Sequence, residues 1–100
     1  MLYLGMDETG HAIPSVNKET QVFTDYYGSA VPVEPWANFI AVDADGKVHC
    51  YDAKPSCYES GKQWMLGVYG LHVRYCGEVD LEGMDWRNTL REIKEYRVEA

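Results

Sequence analysis

The chain has 100 residues, of which 46% are hydrophobic and 25% charged, and its 16 acids and 9 bases give a formal net charge of −7. This composition is typical of a folded globular protein and excludes a disordered acidic tail, and the length predicts one domain over residues 1–100. The charge excludes direct binding of nucleic acid as the main function, because like charges repel. We expect no membrane span and no export signal, since no apolar run approaches the ~20 residues of a span and the first residues lack a basic-then-apolar pattern.

The first third of the chain predicts a hairpin, a short helix and a connector. Residues 3–13 align with residues 39–49 at a constant offset of 36, and Asp and Gly coincide in both copies, which predicts two hairpins with the same turn chemistry. Asn17–Tyr27 contains residues that favour strands, but Asn17 as N-cap and Gly28 as terminator favour a short helix. Two prolines predict an extended connector over 31–35.

The clearest local signal lies in the middle of the chain. Phe39–Asp43 and Lys47–Tyr51 are strand-like runs on either side of an Asp-Gly turn, and this pattern predicts a β-hairpin. Residues 52–61 are rich in turn formers and predict a loop, and strands are predicted at Gln63–Tyr69 and Leu71–Leu81. Alternation in the last strand predicts a packed face of Leu71, Val73, Tyr75 and Val79 and a wetter face of His72, Arg74, Cys76, Glu78 and Asp80.

The last predicted element is a helix that begins after Asp85. Asp85 is a suitable N-cap, and the side chains that recur at helical spacing behind it are Trp86, Leu90, Ile93 and Arg97. Together the elements predict an α+β fold, in which a small antiparallel sheet of four to five strands carries a C-terminal helix and, with Asn17–Tyr27, a short N-terminal helix.

Three cysteines without an export signal predict reduced thiols in the core of a cytoplasmic protein. The alternative is a zinc site, whose ligands would come from His49, Cys50, Cys57, His72 and Cys76. Zinc sites use pairs two to four residues apart, whereas six residues separate Cys50 from Cys57. We therefore expect no metal and no cofactor.

The charge is concentrated in the first half of the chain. Residues 1–46 hold seven acids and one base, whereas residues 47–100 hold nine acids and eight bases. This asymmetry fits either a solvated surface that keeps the protein soluble or a recognition surface for a basic partner, which tyrosines would reinforce. The candidate partner-binding residues are Asp7, Glu8, Asp25, Tyr26, Tyr27, Glu34, Asp43 and Asp45.

Two motifs carry a resemblance to known proteins. Trp36–Gly46 has the pattern W-x3-I-A-V-D-x-D-G, and Gly77–Leu90 has the pattern G-x-V-D-L-x-G-x-D-W-R-x-T-L. Both resemble small proteins encoded by tailed bacteriophages and prophages. With the acidic first half, the resemblance implies an anti-CRISPR-like inhibitor in the host cytoplasm, which would bind a host defence complex and occupy its basic nucleic-acid-binding surface. It implies no catalytic residues.

Three other functions remain open. A small-ligand or nucleotide-binding protein would need a pocket, whose lining would come from Trp64, Tyr69, His72, Arg74 and Tyr75. An accessory structural protein of a phage is the second. A small enzyme with His72 as acid or base is the third, and we expect no enzyme because the sequence offers no nucleophile motif, phosphate loop or metal motif.

Overall fold

The computed structural model describes residues 1–5, 21–67, 70–94 and 97–99, and these ranges contain ten strands, one 3-10 turn and no α-helix. The 3-10 turn is Trp86–Asn88. The strands are β1 (Leu2–Gly5), β2 (Gln21–Tyr26), β3 (Ser29–Val33), β4 (Phe39–Val42), β5 (Lys47–Tyr51), β6 (Ser56–Tyr58), β7 (Gln63–Met65), β8 (Val73–Asp80), β9 (Arg91–Glu92) and β10 (Arg97–Glu99). The predicted α+β class is therefore wrong for the described part of the chain.

The strands form three antiparallel sheets. The five-stranded sheet has the order β1-β8-β5-β4-β9, the three-stranded sheet has the order β10-β2-β3, and β6 pairs with β7. One face of the five-stranded sheet, here called the inward face, shares a buried core with β2 and β3. On the opposite, outward face, Ala41 and Tyr51 form a second cluster with Trp64 of β7, and Trp86 and Leu90 pack against it. Because both faces of β4 and β5 are covered, β4 is apolar throughout.

The predicted central hairpin is confirmed. β4 pairs with β5 so that Val42 lies opposite Val48, and the turn closes with a 2.9 Å hydrogen bond from the Gly46 amide to the Asp43 carbonyl. Gly46 has a φ of 88°, which glycine adopts without strain. The Asp-Gly turn that the sequence predicts is therefore the turn that forms.

The predicted C-terminal helix is wrong, although its N-cap is correct. The Asp85 carboxylate accepts a hydrogen bond from the Arg87 amide, but the turn that it caps ends at Asn88. Thr89 is then fully buried, with its hydroxyl accepting from the Val42 amide at 3.0 Å, and Arg91–Glu92 pairs with β4 as β9. Pairing with a strand about fifty residues away supplies the backbone hydrogen bonds that a local helix would have made.

The predicted N-terminal helix is also wrong, and the predicted connector is extended as expected but is part of a strand. Residues 21–26 of the predicted helix form β2, and residues 17–20 lie outside the described residues. Within the predicted connector, Val31–Val33 belongs to β3 and pairs with β2. Pro32 is tolerated there because β3 is an edge strand of its sheet. The β-propensity of the Val, Phe, Thr and Tyr residues decides this region once a partner strand is present.

A bulge overturns the faces predicted for the first part of the strand at Leu71–Leu81, whereas Val79 lies in the core as predicted. β5 pairs Val48 with Gly77 and His49 with Tyr75, so that Cys76 is an extra residue in β8. Arg74 and Cys76 consequently lie on the inward face, whereas Val73 is 52% exposed on the outward face. Period-two alternation places every side chain correctly only in a strand without such an insertion.

The remaining predicted boundaries shift by smaller amounts. The predicted loop over 52–61 contains β6, and the strand predicted from Gln63 to Tyr69 ends at Met65. In the predicted N-terminal hairpin, residues 3–5 lie in β1, which pairs with β8, and residues 6–13 lie outside the described residues.

Candidate functional site: an acidic end of the five-stranded sheet

The two predicted contact tyrosines occupy different environments. Tyr26 is 3% exposed, and its hydroxyl donates a 2.5 Å hydrogen bond to the Thr89 carbonyl, so it is a core residue. Tyr27 is half-buried, packs edge-on against Tyr26 with ring centroids 4.8 Å apart, and lies under the Arg91 guanidinium at 5.1 Å. Only Tyr27 therefore presents part of its ring at the surface.

Four of the six predicted contact acids lie in the described ranges, and they are dispersed. Asp25 is exposed on β2, whereas Glu34, just after β3, is half-buried and forms an ion pair with Arg74 of β8. Asp43 and Asp45 lie in the turn between β4 and β5. Asp7 and Glu8 lie outside the described residues. The described members of the predicted set thus form no common surface.

Asp43 is a structural carboxylate. It is 8% exposed, its Oδ1 accepts a 2.8 Å hydrogen bond from the Trp64 amide, and its Oδ2 lies 3.5 Å from Nδ1 of His49. Burial raises the pKa of Asp43 and lowers the pKa of His49, because a low dielectric disfavours either charge. Nδ1 of His49 is buried and finds no hydrogen-bond partner among the described atoms. Asp43 therefore ties the β4–β5 turn to β7.

The structure instead gathers acids at one end of the five-stranded sheet. The β4–β5 turn lies beside the end of β8, where the Val79 amide donates a 2.8 Å hydrogen bond to the Gly46 carbonyl. Asp45 is exposed in this turn, Asp80 is exposed at the end of β8, and Glu82 follows two residues later. We call this surface, formed by Asp45, Glu78, Asp80 and Glu82, the acidic end.

Among the described residues, two cations contact the acidic end at the surface. Lys47 lies 3.9 Å from an Asp45 oxygen, and the N-terminal amine lies 3.3 Å from a Glu82 oxygen. The side chains of Asp45, Lys47 and Glu82 are all more than half exposed, so water screens these pairs and they contribute little stability. A partner's Lys or Arg can therefore replace Lys47 at small cost, whereas the N-terminal amine belongs to Met1, whose side chain is buried.

Three members of the acidic end were missed from the sequence. Glu78, Asp80 and Glu82 belong to the second half of the chain, where acids and bases nearly balance. The predicted strand over 71–81 could have indicated these three acids. If that strand pairs antiparallel to β5, its last residues lie beside the β4–β5 turn. No local signal favours that strand pairing over the other possible ones.

An uncovered part of the outward face adjoins the acidic end. Leu2 of β1 lies opposite Asp80 and is 54% exposed, and Leu4 is 59% exposed. Val73 and the half-buried Tyr75 continue this face along β8. An apolar area beside a charged rim is the usual anatomy of a protein–protein interface.

Most residues of the alternative sites do not come together, although Cys50 and Cys76 are neighbours in the core. Among the proposed nucleotide-pocket residues, Trp64 is buried with its indole N–H donating to the Val42 carbonyl, Arg74 is on the inward face and Tyr75 on the outward face. Tyr69 lies outside the described residues. Of the proposed zinc ligands, Cys50 and Cys76 are buried and Cys57 is exposed. Within the described ranges, no group of three or more His, Cys, Asp or Glu could hold a metal ion.

No protein-family model, no curated protein and no solved structure matches this chain. In the described part of the chain, no helix is long and apolar enough to cross a membrane. The features of this chain that point to a function are therefore the geometry and charge of the acidic end and of the face beside it.

Proposed function

We propose that this chain is a phage-encoded acidic inhibitor that binds a host defence complex in the cytoplasm and occupies its basic nucleic-acid-binding surface. The observation that carries the proposal is the acidic end, where two segments distant in sequence bring four carboxylates to one edge of the fold. The resemblance of Trp36–Gly46 and Gly77–Leu90 to tailed-phage proteins supports the class of partner. The proposed function requires neither catalytic residues nor a cofactor.

The proposed attraction is electrostatic at long range. A cationic channel that holds nucleic acid attracts a carboxylate cluster and speeds its association, and a net charge of −7 adds to the steering. The same charge repels nucleic acid itself, so the inhibitor competes for the channel without binding its natural ligand.

The proposed specificity comes from the face beside the acids. Carboxylates imitate the charge of phosphates but not their geometry, so charge alone would not select one basic protein among many. Leu2 and Leu4 offer exposed apolar area next to the acidic end, and Val73 adds exposed apolar area at the opposite end of β8. We expect the partner to place its own apolar side chains there while its Lys and Arg residues meet the carboxylates.

The test is inhibition of a panel of purified CRISPR surveillance complexes and restriction enzymes, measured as loss of target-DNA binding in a mobility-shift assay. The test variant carries Asp45→Asn, Asp80→Asn and Glu82→Gln at the acidic end. The matched control carries Asp25→Asn, Glu59→Gln and Glu92→Gln, which neutralise three other exposed acids.

We expect the wild type and the control to inhibit at least one member of the panel, and the test variant to require at least tenfold more protein. Inhibition should also weaken between 0.1 M and 1 M salt, as the Debye length falls from about 10 Å to about 3 Å. Equal inhibition by the test variant would contradict the role of the acidic end. A panel that no form of the protein inhibits would contradict the proposed target class.

A further inference from the structure

Cys50 and Cys76 are neighbours in the core between the two larger sheets. Cys50 lies on β5 and Cys76 on β8, and their exposed fractions are 0% and 1%. These strands pair directly, and the bulge turns Cys76 toward the inward face that Cys50 also occupies. The two side chains are close enough for each to shift the pKa of the other. The two thiols are therefore neighbours on the inward face.

The two thiols differ in their surroundings. The Cys76 thiol donates a 3.4 Å hydrogen bond to the Arg74 carbonyl. Interaction with the Cys76 side chain chiefly lowers the pKa of Cys50, and the Glu34 backbone amide lowers it further. The same side-chain interaction, followed by burial, raises the pKa of Cys76 well above its ordinary value. Cys50 is thus the thiol that ionises first, and Cys76 holds its proton until Cys50 has reacted.

We propose that Cys50 and Cys76 are a redox modification site, at which hydrogen peroxide converts the dithiol into an intrachain disulfide between β5 and β8. The Cys50 thiolate attacks one peroxide oxygen and the O–O bond breaks, which gives a sulfenic acid and hydroxide. The hydroxide takes the proton lost by Cys50 and leaves as water. The Cys76 sulfur then attacks the Cys50 sulfur, the S–O bond breaks, and the departing hydroxide takes the Cys76 proton. Two thiols and one peroxide thus become one disulfide and two waters.

Cys57 provides an internal comparison. It is exposed on β6, and its pKa is raised, first by desolvation and then by the Glu59 carboxylate. Cys57 is thus accessible but not activated, whereas Cys50 is activated but buried. The proposed reaction requires peroxide to reach Cys50 by a local opening of β8 from β5, after which the neighbouring Cys76 attacks the oxidised Cys50 sulfur before it can be oxidised further.

The experiment begins by alkylating Cys57 in the native protein, because it is the exposed cysteine. The protein is then treated with dilute hydrogen peroxide, quenched with catalase, unfolded and alkylated with a second, heavier reagent. Digestion and mass spectrometry without reduction locate any cross-linked peptide. Circular dichroism before quenching verifies that the treated protein is folded.

We expect treated protein to take up no heavy label, to have lost two hydrogens, and to show a cross-link between the Cys50 and Cys76 peptides that dithiothreitol reverses. In Cys50→Ser and Cys76→Ser proteins no such cross-link can form, and a sulfenic acid should be trapped only when Cys50 remains. Full heavy labelling of both cysteines, irreversible oxygen addition without a cross-link, or a disulfide between two molecules would each overturn the proposal. The wild-type measurement decides it even where a variant does not fold.

Discussion

The Tyr26 hydroxyl donates a 2.5 Å hydrogen bond to the Thr89 carbonyl, across 63 positions of sequence. Tyr26 ends β2 of the three-stranded sheet, and Thr89 follows the 3-10 turn on the edge of the five-stranded sheet. The bond therefore joins the two sheets at a buried point. Thr89 itself is fully buried, so no water can replace the hydroxyl as a donor to that carbonyl without rearrangement.

The first prediction concerns this bond. Tyr26→Phe leaves the Thr89 carbonyl buried without its donor, and we expect the free energy of unfolding to fall by about 1–3 kcal/mol in urea denaturation. Tyr27→Phe is the control, because its hydroxyl makes a 3.3 Å contact to the Asn88 carbonyl in an exposed position. The control should lose less than about 1 kcal/mol. Equal losses would show that the bond does not join the sheets as described.

The second prediction concerns the Thr89 hydroxyl, which replaces helical hydrogen bonding after Asn88. Its oxygen accepts from the Val42 amide at 3.0 Å, and the hydroxyl lies 2.7 Å from the Trp86 carbonyl. Thr89→Val keeps the volume but removes the hydroxyl, so the buried Val42 amide and Trp86 carbonyl each lose a hydrogen bond. We expect a loss of about 1–3 kcal/mol in the free energy of unfolding. Thr89→Ser retains the hydroxyl and should lose clearly less. The reverse order of the two variants would contradict the role of this hydroxyl.

The third prediction compares two glycines with positive φ. A Cβ at Gly46 would lie 2.5 Å from the Val79 carbonyl oxygen, whereas a Cβ at Gly28 would meet nothing within 4 Å. Gly28→Ala should therefore cost only the left-handed conformation, about 1–2 kcal/mol. Gly46→Ala should cost the same left-handed conformation and, in addition, displace β8 from the turn. We therefore expect the thermal midpoint of Gly46→Ala to be lower than that of Gly28→Ala. Equal midpoints would show that the turn and β8 are not in close contact.

The fourth prediction is a pH dependence from His49. Burial lowers the pKa of His49 below its ordinary 6.5, so near pH 6 the unfolded chain binds more protons than the folded one. The stability that neutral His49 contributes is fully present above pH 6.5. It is lost as the pH falls through the lower pKa that His49 has in the folded state. The raised pKa of Asp43 acts in the opposite sense. Just above pH 3.8 the folded Asp43 carboxyl binds more protons than the unfolded one, so this group stabilises the fold as the pH falls.

The measurement is the urea midpoint at pH 7.5 and at pH 5.0. His49→Gln should show a smaller decrease between these values than the wild type, because the titrating ring is gone. His72→Gln is the control, since His72 is exposed and lies beside Trp36. We expect it to behave as the wild type does. A His49→Gln protein with the full decrease would assign the pH dependence to other groups.

The sequence by itself determined the features that depend on neighbours in the chain. The Asp45-Gly46 turn, the pairing of Phe39–Val42 with Lys47–Tyr51 and the cap at Asp85 are all present, because each is set by the backbone preferences of a few adjacent residues. The net charge likewise follows from composition alone. These local signals do not depend on which distant strand lies alongside.

Only the tertiary structure decided the features that depend on distant partners. Trp86, Leu90 and Ile93 have helical spacing, yet Trp86 and Leu90 pack on the outward cluster and Ile93 in the inward core, an arrangement that one helix face cannot make. The bulge in β8 reversed the predicted faces of the residues before it, and the pairing of β8 with β5 assembled the acidic end. Strand pairing gains its hydrogen bonds and burial from residues far along the chain, so local propensity could not choose among the possible partners.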